Sequence, residues 1–134
     1  MAKGDLMSGV RTSQTICHEA RSVPGREGSI DLALFTGHIV YASGETATFA
    51  GVEVIDTTDG KDTFTANETV LLEDGSISNQ VFRGEATFKD GPGRVGGSGT
   101  WEMVNGTGRF ASLRGGGPFK WAVNDDEYRA EFSA

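Results

Sequence analysis

The chain has 134 residues, long enough for one hydrophobic core and too short for two ordinary domains. Its 12 basic and 19 acidic residues give a formal charge of -7 with no basic run, which excludes the electrostatic footprint of a nucleic-acid or anionic-membrane binder. Gly 20 against Pro 3, with the glycines scattered among Thr, Val, Phe and Ile, points to an all-β chain with many tight turns.

Taken in order, residues 1–10 show no apolar period and are expected to form a loose arm. Arg11 to Glu19 alternates weakly as a first strand, and Pro24, Gly25 and Gly28 break the chain after it. Ile30 to Tyr41 is a long strand with two largely apolar faces. One face carries Leu32, Leu34, His38 and Val40 and the other Phe35, Ile39 and Tyr41, so alternation leaves open which is inside. Thr46 to Thr57 follows, with Gly51 at its middle marking a bulge or barrel bend. Asp59-Gly60 predicts a hairpin into Thr63 to Leu72, and Asp74-Gly75 a second into Ser76 to Lys89. Asp90-Gly91-Pro92-Gly93 turns the chain into Arg94 to Val104. Gly115 to Val123, a turn at Asn124-Asp125-Asp126, and Glu127 to Phe132 complete about eight strands. Such a series closes into an antiparallel barrel, and the pattern alone fits a lipocalin-like barrel or a sandwich equally well.

Between the sixth and seventh strands lies Asn105-Gly106-Thr107-Gly108-Arg109-Phe110-Ala111-Ser112-Leu113-Arg114-Gly115. Its glycines allow a tight reversal, and the spacing of Phe110 and Leu113 suits a single helical turn over 109–112 that tucks both under the sheet. This segment resembles the glycine-rich "GGTGxFxxxRG" stretch of the allene oxide cyclase and dirigent superfamily. The resemblance implies a small eight-stranded antiparallel β-barrel with a ligand cavity in its lumen, often assembled as a dimer or trimer. It also implies a cavity carboxylate on the first strand followed by a proline. Glu19 and Pro24 stand in that order here, with no asparagine near Glu19.

Other signatures are absent. Gly106 to Ala111 matches a dinucleotide fingerprint only formally, because no βαβ unit surrounds it. Cys17 is the sole cysteine, so no internal disulfide forms, and His18 and His38 are the only histidines. A metal site would have to rest on carboxylates, and neither a metal nor a cofactor is expected. The N-terminus lacks an apolar signal region and no uncharged run reaches membrane-spanning length, so a cytoplasmic location is expected.

Polar residues on apolar faces are the candidates for chemistry. Glu68 shares its face with Phe64, Ala66, Val70 and Leu72. In a lumen it would be a general acid or base of raised pKa, and otherwise it would sit in a salt bridge or at a rim. His38, on the Leu32, Leu34 and Val40 face, and His18 at the end of the first strand complete the catalytic set. Phe64, Phe82, Arg83, Trp101, Phe119 and Trp121 are candidates for lining a pocket for a small hydrophobic molecule. Three functions are open: a cofactor-independent cyclase or isomerase acting on a lipophilic or polyketide-like substrate, a non-catalytic carrier, or a filled barrel. In the last, Ile39 and Tyr41 would face outward as an oligomer contact.

Overall fold

The computed structural model describes residues 6–25, 27–59, 61–89, 94–124 and 127–134. Eight antiparallel strands run β1 (Gly9–Ser22), β2 (Ser29–Tyr41), β3 (Thr46–Thr58), β4 (Lys61–Leu72), β5 (Ile77–Lys89), β6 (Arg94–Gly106), β7 (Gly115–Asn124) and β8 (Glu127–Phe132). Each pairs with its sequence neighbour, and β8 pairs with β1, so the sheet closes into an up-and-down barrel. A 3-10 turn, Gly108–Phe110, lies between β6 and β7.

Closure decides the face that alternation left open. On β2 the lumen takes Ala33, Phe35, Ile39 and Tyr41, all buried, while Leu32, Leu34 and Val40 remain on the outside. The outward-facing Ile39 and Tyr41 expected of a filled barrel are therefore corrected to lumen residues. The inward-facing residues build one core that includes Phe49, Val70, Phe82, Trp101, Phe119 and Phe132. β3 keeps unbroken register through Gly51 with both neighbours, so Gly51 marks no bulge. It makes room instead, because a Cβ there would stand 2.6 Å from Phe35 Cζ. The register shifts lie elsewhere, one of them between Thr15 and Cys17 on β1.

One end of the barrel is shut. Phe110 and Leu113 are tucked under the sheet at the 3-10 turn and buried with Leu6 and Met7, so at least these two residues of the expected loose arm belong to the core. Gly108 takes a positive φ of 55° that brings the turn against the β4–β5 hairpin. There the Thr107 N–H donates to Ile77 O at 2.8 Å and the Arg109 N–H to Ser76 Oγ at 3.0 Å. Arg109 Nη1 also donates to Glu45 Oε2 at 2.6 Å, tying the turn to the β2–β3 hairpin. The glycine-rich segment thus clamps two neighbouring hairpins together beneath the core.

The opposite end is open, and its four hairpins include positions 26, 60, 90–93 and 125–126, which lie outside the described residues. The expected turn at 90–93, and the second positions of the Asp59-Gly60 and Asn124-Asp125 turns, fall there. β8 pairs with β1 only as far as Tyr128 and Ser13, whereas β2 follows β1 to Ser22. Beyond Ser13 the edge of β1 therefore has no β8 partner, which leaves a gap in the wall at the mouth on that side.

Candidate functional site

The lumen holds a cavity of about 260 Å³ that opens at this mouth. Its apolar wall includes Phe35, Ile55, Phe64, Phe82, Trp121 and Tyr128, with Val95 and Val123 nearer the rim. Phe64 meets Trp121 edge-on, and Tyr128 stacks on Trp121 with ring centroids 5.7 Å apart. Such pairs fix ring positions beyond what area burial alone would do.

The floor is polar. Arg11 on β1 reaches across to Glu68 on β4: Nη1 donates to Oε2 at 2.8 Å and Nη2 donates to Oε1. Both residues are nearly inaccessible, at 3% and 4%. The guanidinium carbon lies 4.1 Å from the ring centroids of both Phe49 and Phe82. A buried carboxylate with two charge-assisted donors and an arginine with two aromatic neighbours make a closed electrostatic unit.

At the mouth the chemistry differs. Glu53 on β3 lines the cavity, and among the described residues no donor bonds its carboxyl. Burial, and secondarily the charge of Asp31, raises its pKa to about 7, with Arg11 opposing. Its carboxyl therefore changes protonation near neutrality, where a general acid or base works best. Burial likewise pushes the Tyr128 hydroxyl up, so it stays protonated.

Two further donors in the wall lack acceptors among the described residues. Arg11 Nε and Trp121 Nε1 are both buried and unbonded. Leaving each unsatisfied costs about 1–3 kcal/mol.

The candidates named from sequence divide accordingly. Glu68, Phe64, Phe82 and Trp121 line the cavity. Glu68 does so locked to Arg11 rather than as a lone carboxylate in an apolar pocket. Trp101 and Phe119 pack in the core outside the cavity lining, with Trp101 Nε1 donating to Ser133 O at 2.9 Å. His38 is exposed on the outer face, 3.0 Å from Thr12 Oγ1, because β2 turns its Phe35 and Ile39 face inward. Arg83 is also exposed, on the opposite face of β5 from Phe82. His18 stands beyond the Thr15–Cys17 bulge, 62% exposed, with Nδ1 3.2 Å from Asp31 Oδ1. It is a rim residue rather than a lumen one. Glu19 pairs with Arg21 in solvent, so the carboxylate implied by the resemblance is not in the cavity.

Arg11 and Glu53 were missed. Arg11 begins a strand whose two faces are equally polar, and Glu53 sits on a strand with apolar residues on both sides, so neither stood out. No group of three or more His, Cys, Asp or Glu side chains suited to a metal ion occurs among the described residues. Nor is any helix there long and apolar enough to cross a membrane. The chain matches no protein-family model, no curated protein and no solved structure.

Proposed function

We propose that this barrel is a cytoplasmic enzyme of the allene oxide cyclase type in architecture, an isomerase or cyclase that moves a proton on a small lipophilic molecule held in its lumen. The observation that carries the reading is the position of Glu53: a carboxyl without a bonding partner among the described residues, on the wall of an aromatic cavity, titrating near pH 7. In its ionised form Glu53 takes a proton from one carbon of the bound molecule, and it returns that proton at another. The rings hold the substrate against the carboxyl, which contributes orientation. The Arg11–Glu68 pair supplies a rigid floor and takes no part in the proton transfer.

Size limits the substrate. A cavity of roughly 150 Å³ accepts one benzene ring. About 260 Å³ therefore suits a compact molecule of one or two rings, and a longer chain would have to protrude through the mouth.

A second reading, a carrier without catalysis, is favoured by the neutralisation of Glu68 by Arg11, which leaves the floor electrostatically quiet. One experiment separates the two. The protein is isolated from its source cells, any retained small molecule is extracted, and that molecule is incubated with fresh protein in D2O. Deuterium entering the molecule with wild-type protein and not with Glu53→Gln supports the enzyme. A retained molecule that neither form alters supports the carrier.

A further inference from the structure

The two sides of the lumen differ in charge. Every charged side chain that lines the cavity among the described residues stands on the β1–β4 side: Arg11, Glu53, Asp62 and Glu68. From β5–β8 come Phe82, Ala86, Val95, Trp121, Val123 and Tyr128, none of them charged. Glu53 is turned to the lumen by its place on β3, because Ala33 and Ala66, its partners on the two adjacent strands, are buried, while Val52 and Val54 beside it are exposed. It is half-buried, as are Asp62, Phe64 and Tyr128, so all four keep surface that a molecule in the cavity can touch. The balance of charge is negative. Arg11 is the one lining cation among the described residues, and both of its Nη atoms are taken by Glu68. An anionic ligand would be repelled by Glu53 and Asp62, and a neutral one would leave an ionised Glu53 desolvated without a counter-charge.

We propose that the ligand is a compact lipophilic cation, a compound of one or two rings whose protonated nitrogen lies on the Glu53 side of the lumen while its rings occupy the aromatic side. This rests on the reading of the lumen as a ligand site and names the charge class of what enters it. Aromatic faces attract a cation where carboxylates alone would leave it in water, and the formal charge of -7 on the chain draws cations toward the mouth. The same class suits proton transfer. In a cyclic imine bound as its iminium, Glu53 removes a proton from the carbon next to the C=N bond. The C–H electron pair becomes a C=C bond, and the C=N π pair moves to nitrogen, giving a neutral enamine and a neutral carboxylic acid. Return of the proton from Glu53 to another carbon of a conjugated system completes an isomerisation. Two opposite charges become two neutral groups, a change that burial favours.

The probes are 1,2,3,4-tetrahydroisoquinoline, a cation in neutral water, and isochroman, the same two rings with oxygen in place of the nitrogen. Both are titrated calorimetrically at pH 8, above the Glu53 pKa of about 7, into wild type and into Glu53→Gln. The expected result is binding of the amine roughly tenfold or more tighter than of the ether in wild type, with most of that preference lost in Glu53→Gln. The ¹³C carboxyl signal of Glu53 is expected to move with the amine and not with the ether. Equal binding of the two compounds, tighter binding of the ether, binding of neither, or a preference that survives in Glu53→Gln overturns the proposal. Proton transfer is read separately, as exchange of the methyl protons of 1-methyl-3,4-dihydroisoquinoline in D2O. If the amine binds as expected but this exchange is no faster with the protein than in buffer, the ligand class stands and the catalytic reading falls.

Discussion

Arg11 and Glu68, 57 residues apart in sequence, meet across the lumen in a two-pronged ion pair that separates the filled half of the barrel from its cavity. Removing one partner leaves the other charged and buried. Glu68→Gln is expected to destabilise the protein by about 3–5 kcal/mol. The double replacement Arg11→Met, Glu68→Leu is expected to recover most of that loss, because apolar side chains of similar volume escape the desolvation penalty. Urea unfolding of the wild type, Arg11→Met, Glu68→Leu and the double variant measures the coupling directly.

Glu53 gives stability a pH dependence of opposite sign to that of a salt-bridged carboxylate. Its folded pKa of about 7 lies above the ordinary 4.5, so between those values the folded state binds more protons than the unfolded one. Its contribution is therefore most favourable below about pH 4.5 and is lost as pH rises through 7. The full shift would correspond to roughly 3 kcal/mol, and partial exposure of the side chain reduces it to about 2 kcal/mol. Glu53→Gln is expected to be more stable than wild type at pH 8 by about that amount, with the advantage shrinking as pH falls to 5. Thermal melts of both proteins across this range check it.

The glycine corner is a structural clamp, so its aromatic residue should matter to stability as much as any core position. Phe110 is fully buried between the closed end and the 3-10 turn. Phe110→Ala is expected to cost about 3–5 kcal/mol in denaturant unfolding.

Residues on the outer wall should be silent in ligand binding. His38 and Arg83 project away from the cavity, so His38→Gln and Arg83→Ala are each expected to change the affinity for a small hydrophobic ligand of the lumen by less than twofold. Isothermal titration of the purified variants decides this, and a larger effect would relocate the site.

How much of this the sequence disclosed depended on contrast between the two faces of a strand. On β4, Phe64, Ala66, Glu68, Val70 and Leu72 alternate with Thr65, Asn67 and Thr69, and only Leu71 departs, so the lumen face and the odd carboxylate on it could be read directly. β2 has apolar residues on both sides because Leu32, Leu34 and Val40 remain on the outside, and periodicity could not choose between the faces. That ambiguity sent His38 inward on paper and outward in the barrel. Arg11 was invisible for the opposite reason, since its same-face neighbours in β1 are Gly9 and Ser13, neither of them a large apolar residue. Its burial is created by Phe49 and Phe82, which other strands deliver. The raised pKa of Glu53 likewise depends on the folded barrel, where pairing of β2 with β3 brings Asp31 near and burial removes water.

The measurement that bears most directly on the account is the titration of the Glu53 side-chain carboxyl by ¹³C NMR, with the signal assigned through Glu53→Gln. A midpoint near 7 is predicted, matching a carboxyl that exchanges protons at neutral pH on the wall of an apolar cavity. A midpoint near the ordinary value of 4.5 would mean that Glu53 is simply an ionised, solvated carboxylate, and the proton-transfer role assigned to it would be wrong.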